Sequence, residues 1–326
     1  MRYHNRTMNC RFRHNCQGVA LITAMLIVAL ASIAAVAVTA RQQIDIRRSA
    51  NLMNGEQSYQ FALGVESWAV QLLTRDRKQN KTDTLKEDWA KQLPPLSVEG
   101  GQVAGHIEDL QGRYNLNNIV DSATGKATVE TIKPLQRLLQ ALEIPPDLSW
   151  AVADWLDNDL DININGGAED DTYTRLQPAY RTANGQMGSS SELLLIHGFE
   201  PKYYVKIEPY VCALPVRTKI NVNTAAAPVL VTLSDDLSLG GAEAIVEDRK
   251  DKPFDDIAAF KTALKTSGGL TDAAISRIDN NAMDVGSSYF LVLADTLFGK
   301  GRSRLFSELH RDNATTSVIL RARGVL

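Results

Sequence analysis

Residues 19–40 read VALITAMLIVALASIAAVAVTA, a run of 22 residues without a charged side chain. At about 1.5 Å of rise per residue, a helix of this length extends roughly 33 Å, enough to cross the hydrocarbon core of a membrane. Four arginines and no acidic residue precede the run, so the leader should stay cytoplasmic and the chain after Arg41 should lie outside. The run therefore predicts a single-pass membrane helix.

Gly18, directly before this run, separates three interpretations of the N-terminus. A cleaved secretory signal has a shorter apolar run followed by a small-residue cleavage site. A plain signal anchor is the second interpretation. The third explains where the run begins: a basic leader that ends in glycine resembles the leader of type IV prepilins. That resemblance implies cleavage after Gly18 by a prepilin peptidase and methylation of the new N-terminus, Val19.

The fifth residue after the predicted cleavage is Thr23, where most pilins carry a glutamate. In pilins that carboxylate pairs with the amino terminus of a neighbour, and without a partner it is costly in lipid. The K-type pseudopilins of type II secretion systems are similar to this chain in lacking the glutamate. The resemblance implies a subunit at the tip of the filament, since the interaction that adds a subunit beneath an existing one is missing.

The membrane helix is expected to continue into a long spine, because residues 41–75 contain no proline. Phe61, Val65, Trp68 and Leu72 recur at spacings of four, three and four. This period is that of an amphipathic helix, so we expect the far half of the spine to pack on a soluble body through these side chains.

Alternating apolar residues predict the strands of that body. They indicate a β-hairpin at 96–110 and three further strands at 289–294, 304–310 and 317–323, which would close an antiparallel sheet. Between them the apolar pattern is helical. Tyr114-Asn115-Leu116-Asn117 and Ile220-Asn221-Val222-Asn223 each precede an apolar periodic segment, which indicates a weak internal repeat with asparagine as a helix N-cap.

The predicted fold class is α+β: a type IV pilin-like N-terminal helix on an antiparallel sheet, with a large inserted α-helical domain. The K-type pseudopilins resemble this plan over the whole chain. The expected divisions are the leader (1–18), the transmembrane helix (19–40), the rest of the spine with the first strands (41–110), the insert (111–285) and the C-terminal strands (286–326).

Seven carboxylates lie within residues 154–171, and no lysine or arginine lies among them. Such a run is often a solvated loop, but unpaired carboxylates on a glycine-containing segment also suit Ca²⁺. The spacing Asp157-x-Asp159-x-Asp161 resembles the start of an EF-hand, but Ile162 and Ala168 stand where that loop requires glycine and glutamate. A glycosidase pair is the third alternative, and no companion motif supports it.

The segment is more similar to the calcium-binding loop of K-type pseudopilins. The shared residues are Asp154-Trp155-x-Asp157-x-Asp159, Gly167-Ala168-Glu169-Asp170 and Tyr173. This resemblance implies a structural Ca²⁺ that stiffens the insert. The candidate ligands are Asp154, Asp157, Asp159, Asp161, Glu169 and Asp170.

Three segments of the insert, 219–225, 244–249 and 253–257, resemble a helix-hairpin-helix module, which in some proteins presents backbone amides to DNA phosphates. Here Asp235 and Asp236 precede the hairpin. The chain after residue 18 carries 31 basic and 38 acidic side chains, a formal charge of −7. We therefore expect no nucleic-acid partner, and a sterile-alpha-motif-like scaffold for protein contacts is favoured.

The function implied by the resemblance is assembly, not catalysis. It implies a minor pseudopilin in the inner membrane, with a periplasmic body, that joins the I-type and J-type pseudopilins at the pseudopilus tip during protein secretion. Two alternatives stay open: a type IV pilus or competence-filament tip that contacts DNA, and a membrane-anchored periplasmic hydrolase.

Overall fold

A computed structural model describes residues 17–92, 94–121 and 123–324, and the N-terminal helix α1 spans Gln17–Gln79. Its 63 residues extend about 95 Å, longer than the sequence predicted at its C-terminal end. Arg77 and Lys78 lie in the last turn, where cations interact favourably with the helix dipole. The leader residues 1–16 and the terminal residues 325–326 lie outside the described residues.

Eleven strands are present in the described residues, and five of them form one antiparallel sheet in the order β1-β2-β9-β10-β11. The strands are β1 (Leu96–Val98), β2 (Gly101–Asp109), β3 (Tyr114–Asn115), β4 (Val120–Asp121), β5 (Lys126–Ala127), β6 (Val211–Cys212), β7 (Ile220–Asn221), β8 (Met283–Asp284), β9 (Tyr289–Phe298), β10 (Gly301–Arg311) and β11 (Thr316–Arg323). The predicted hairpin and the three C-terminal strands are confirmed.

The spine packs on this sheet through a face that combines small and large side chains. The buried face consists of Ser58, Ala62, Glu66, Ala69, Leu72 and Leu73. The predicted stripe was wrong at Trp68, which is 44% exposed, although Val65 does pack against the core. The helix approaches the sheet closely, since a Cβ atom on Gly105 of β2 would lie 2.6 Å from Cγ1 of Val65. Such an approach is helped by the small residues Ser58, Ala62 and Ala69 on the buried face.

The insert between β2 and β9 is mainly helical and contains the largest hydrophobic core of the described residues. Its helices are α2 (Val129–Ala141), α3 (Leu148–Leu156), α4 (Asp170–Tyr173), α5 (Pro201–Ile207), α6 (Ala227–Val231), α7 (Leu239–Asp251), α8 (Ile257–Thr266) and α9 (Asp272–Ser276), joined in part by short 3-10 turns. The α+β class with an inserted helical module is confirmed.

The internal repeat is present as two equivalent asparagine locks. Asn117 binds both backbone groups of Met187, donating to its carbonyl and accepting from its N–H. Asn223 binds both backbone groups of Phe254 in the same way. Each asparagine therefore joins the start of one half of the insert to a later segment, 70 residues further on for Asn117 and 31 residues further on for Asn223.

The asparagines do not cap the predicted helices. Thr128 caps α2, and Ala226, which precedes α6, makes no capping hydrogen bond through its side chain. Asn115 instead caps the 3-10 turn Leu116–Ile119. The amide groups of Asn117 and Asn223 are used instead by the backbone of Met187 and Phe254.

The insert is joined to the sheet by a buried polar network around Asp109 at the end of β2. Its carboxylate accepts from Asn221, Thr224 and Ser287, at 2.9, 2.6 and 2.6 Å. Burial raises the pKa of Asp109, and every one of these partners donates to it. A fully bonded polar network of this kind fixes one relative placement of the groups that it joins.

Candidate functional site

The membrane segment of α1 is the first functional feature. It contains an 18-residue window with a mean hydropathy of 2.7, and no residue of this window is buried by the rest of the chain. The helix is therefore long and apolar enough for a single-pass anchor. Gly18 and Val19 lie in its first turn, whereas the rest of the leader lies outside the described residues, so processing at Gly18 stays a prediction.

Thr23 is satisfied within its own helix. Its hydroxyl donates to the carbonyls of Val19 and Ala20, both at 3.0 Å. A threonine that bonds back to the preceding turn presents no charge to a neighbouring helix. Thr23 therefore carries no charge at the position where pilins have the glutamate that pairs with a neighbouring subunit.

The acidic loop, residues 157–169, connects α3 to α4, and aromatic side chains hold its two ends together. Trp155 at the end of α3 packs edge-on against Tyr173 of α4, with ring centroids 5.4 Å apart, and Tyr180 stacks on Tyr173. These aromatic contacts thus join the two ends of the loop.

Asp154 lies in α3, just before the acidic loop, and stabilises the loop through hydrogen bonds. The side chain is fully buried and accepts from the backbone N–H and the side-chain amide of Asn163. Gly167 passes so close that a Cβ atom there would lie 2.1 Å from Oδ2 of Asp154. Because both oxygens of Asp154 are used by the loop itself, we assign this residue a supporting role.

Asp157 and Glu169 are the carboxylates that the structure leaves incomplete. Both are buried, and Oδ1 of Asp157 and Oε1 of Glu169 have no hydrogen-bond partner among the described residues. Burial, reinforced by neighbouring carboxylates, raises the pKa of each to about 7. Oδ1 of Asn184 is likewise buried without a partner. Buried oxygens of this kind are costly unless something compensates them.

Asn184 and Thr182 also contact the acidic segment, and the sequence did not predict them because both follow the acidic run. Asn184 has a left-handed backbone (φ 44°), and its side-chain amide donates to the carbonyl of Asp159. Thr182 donates to both Glu169 and Asp170. The one sequence signal was the Asn184-Gly185 dipeptide, which is typical of a tight turn.

The remaining candidates lie at the edge of the site. Asp159 pairs with Lys126 at 3.0 Å, a cation that the hairpin β4–β5 supplies from outside the acidic run. Asp170 accepts from Thr182 and lies 3.5 Å from Arg181. Asp161 is exposed, and its backbone N–H donates to Asp159. Asp157 thus lies close enough to Glu169 to contribute to its raised pKa, Asn184 is tied to the loop through Asp159, and Asp161 is left in solvent.

A second acidic group lies at the end of the spine. Among the described residues, Asp76, Asp83 and Glu87 are the three that place ligand-type oxygens within 4.8 Å of one another. Arg311 of β10 already occupies this group: it is 2% exposed and binds Asp76 at 2.8 Å, and both oxygens of Asp83. The guanidinium also lies 4.6 Å from the ring centroid of Phe290. This group therefore contains its own cation.

The helix-hairpin-helix-like segment carries its acids at the hairpin. Asp235 pairs with Arg137 at 2.8 Å and Asp236 pairs with Arg277 at 2.6 Å. These carboxylates hold the hairpin against the neighbouring helices and would repel a phosphate backbone.

Residues 112–216 and 220–279 match two sequence families that are both described as type II secretion system, protein K. The chain is 37% identical to the type II secretion system protein K of Pseudomonas aeruginosa, over 92% of this chain and 90% of that protein. The chain belongs to the protein K family of the type II secretion system. It is 31% identical to the protein K of Aeromonas hydrophila, over 93% and 96% of the two chains.

Protein K of this system is a minor pseudopilin, and the fold agrees. The structure resembles a chain in the crystal structure of the GspK-GspI-GspJ complex from enterotoxigenic Escherichia coli, with a TM-score of 0.71 and 22% identity. The match covers 86% of this chain and 100% of that chain. These similarities do not support the alternative of a type IV pilus tip.

Proposed function

We propose that this protein K is anchored in the inner membrane with its body in the periplasm, and that it forms the tip of the pseudopilus with I-type and J-type pseudopilins. Its role is assembly, and we assign it no catalytic step. The observation that carries this proposal is the fold match to a chain that is solved in complex with GspI and GspJ.

Two features of the chain favour the tip over a position within the filament. The self-satisfied Thr23 offers no carboxylate to a subunit above it. The helical insert adds about half of the chain to the pilin body, and a body of that size would obstruct the next subunit sterically. Both features therefore favour a subunit that has no other subunit above it in the filament.

The proposed ion of the acidic loop is a structural Ca²⁺. Asp157, Glu169 and Asn184 would bind it, since each presents a buried oxygen without a partner, and hard oxygen donors suit calcium. Asp159 and Asp170 would complete the site from the rim. When bound, the ion would supply the positive charge that the loop lacks and would offset the repulsion between the carboxylates.

The experiment is co-purification of the full chain, in a neutral detergent, with full-length I-type and J-type pseudopilins, in calcium and in chelator. We expect a stable ternary complex in calcium that is weakened by the chelator. The matched pair is Asp157→Asn, which should reproduce the effect of chelator, and Asp161→Asn, which should not. If no complex forms in either condition, the tip assignment is wrong.

Processing is tested separately, because it precedes assembly. Cleavage after Gly18 predicts that the mature chain begins at Val19 and that Gly18→Ala retains the leader. The intact mass of the purified chain distinguishes the two forms. Removal of the leader from Gly18→Ala would rule out this cleavage site, and it would leave the tip proposal untouched.

A further inference from the structure

A basic groove of about 490 Å³ lies where the end of the spine, the insert and the sheet meet. Its charged lining consists of Arg77, Lys81, Arg217, Lys219 and Asp284, with His310 at one side. Four permanent cations against one carboxylate is a local excess of positive charge in a body whose net charge is −7. We propose that this groove binds an acidic segment of a partner protein.

The cations of the groove are only partly neutralised by the chain. Lys219 pairs with Asp284 at 3.3 Å and Arg217 pairs with Asp121 at 3.5 Å, and all four side chains are between 39% and 45% exposed. Arg77 donates to a side-chain amide oxygen and to the carbonyl of Lys81. Within the described residues, neither Arg77 nor Lys81 lies within 4.0 Å of a carboxylate.

The helix dipole accounts for only one of these cations. Arg77 lies in the last turn of α1, where a positive charge is favoured for structural reasons. Lys81, Arg217 and Lys219 lie in irregular segments and have no such explanation. The convergence of these three from two distant parts of the chain is the feature that indicates a ligand.

The wall that carries Arg217 and Lys219 is rigid. Three amide side chains each donate to a carbonyl of this segment: Asn115 to Val216, Asn118 to Thr218 and Gln111 to Lys219, at 2.8, 2.8 and 3.0 Å. A segment fixed in this way presents its charged side chains from one backbone conformation. Preorganisation lowers the entropic cost of binding.

Gln111 also ties this wall to the opposite one, because its side-chain oxygen accepts from the N–H of Ser288 at 2.6 Å. The opposite wall packs tightly beneath Lys81: a Cβ atom on Gly286 would lie 2.4 Å from the Lys81 carbonyl oxygen. Val216, which is 48% exposed, adds an apolar contact to the groove. The groove thus combines basic side chains with a small apolar surface, which suits carboxylate-bearing side chains on a peptide.

The position of the groove favours a protein over a lipid. Arg77 lies 37 residues beyond Ala40 on one continuous helix, which is about 55 Å from the end of the membrane segment. Headgroups of the anchoring membrane are out of reach at that distance. A nucleic acid would extend over the surrounding body, whose net negative charge opposes it, whereas a short acidic segment touches only the groove.

The test uses the full chain in neutral detergent and a fluorescein-labelled peptide that contains six glutamates, with binding followed by anisotropy. Lys81→Gln with Arg217→Gln should weaken binding about fivefold to tenfold, because two surface charges are lost. The control, Lys252→Gln with Lys300→Gln, removes two exposed lysines outside the groove and should change affinity less than twofold.

A single-stranded oligonucleotide of equal charge is the competing probe. Weaker oligonucleotide binding that is indifferent to Lys81→Gln with Arg217→Gln would support the peptide assignment. Three outcomes would overturn it: no peptide binding by the wild type, an equal loss in both double variants, or tighter binding of the oligonucleotide through the same two residues. Each outcome is independent of the calcium site and of the tip role.

Discussion

Two acidic groups, one at the end of the spine and one in the insert, differ in how their carboxylates are neutralised. Asp76, Asp83 and Glu87 have closely spaced oxygens, and Arg311 neutralises the group from within the fold. Asp157 and Glu169 are buried with oxygens that no described residue bonds. The carboxylates of the first group receive a counter-charge from within the chain, whereas Asp157 and Glu169 each keep one oxygen without a partner among the described residues.

Close spacing of carboxylates is therefore a weaker indicator of a metal than an unmet hydrogen-bonding requirement. The tighter of the two groups is the one that needs no ion, because an arginine fork occupies it. Burial raises carboxylate pKa values in both groups, to about 7 for Glu87, Asp157 and Glu169, but only the looser group has buried carboxylate oxygens without a hydrogen-bond partner among the described residues. Variants of the first group should respond to the loss of the arginine, and variants of the second group should respond to the loss of calcium.

The largest effect is expected from Arg311→Met. The substitution leaves Asp83 buried beside Asp76 without a counter-charge, and breaking a buried pair from one side costs about 3–5 kcal/mol. Urea denaturation of the full chain should show this loss equally in calcium and in chelator. Arg302→Met is the control, since Arg302 is 62% exposed and its pair with Asp295 should contribute less than about 1 kcal/mol.

A double variant separates the ion pair from simple packing damage. Arg311→Met combined with Asp83→Asn removes the stranded charge and should recover part of the stability. If the double variant is as unstable as the sum of the single ones, the pair is not coupled and the account of this group is wrong.

The second effect is the response of the insert to calcium. A ligand present at about 100 times its dissociation constant stabilises a folded protein by roughly 2.7 kcal/mol. Thermal unfolding should show a gain of this order in calcium, and Asp157→Asn should abolish it. In chelator, Asp157→Asn should be more stable than the wild type because one repelling charge is gone. An unchanged melting temperature in calcium would refute the proposed site.

The smallest effect is the pH dependence of the spine group. Burial raises the pKa of Glu87 to about 7, so the folded chain keeps a proton that the unfolded chain releases near its ordinary value of 4.5. Stability should therefore fall as the pH rises from about 4.5 to 7, by about 1 kcal/mol or less because Glu87 is only half-buried.

Glu87→Gln should reduce this slope without removing it, because the pKa values of Asp157 and Glu169 are also raised to about 7, and free energies of unfolding at pH 5 and pH 7.5 would measure the change. Glu143→Gln is the exposed control. A slope that is the same in Glu87→Gln and in the wild type would assign the pH dependence to another group.

The spine, the hairpin and the three C-terminal strands were predictable from sequence because each has a local period that matches its structure. The acidic loop was also visible as a run. The partners of its carboxylates were not: Asn184 and Thr182 follow the run, and Lys126 precedes it by about thirty residues. The density of acidic residues in the sequence therefore located the loop, but it did not show which carboxylates lack a partner.

The pairing of Arg311 with Asp83 joins residues 228 apart, and no local pattern indicates it. The same limit explains the error at Trp68. Helical spacing identifies a candidate face, but which of its residues are buried depends on where the helix meets the sheet, for example at Gly105, which approaches Val65 from about forty residues away along the chain. Tertiary packing decides such positions, and a period in the sequence does not.

The most direct test of this account is the calcium bound by the full chain in detergent, measured by isothermal titration calorimetry on the wild type, Glu169→Gln and Glu87→Gln. The account predicts that Glu87→Gln binds calcium as the wild type does and that Glu169→Gln loses at least about tenfold in affinity. Unchanged binding by Glu169→Gln, or a loss in Glu87→Gln, would contradict it.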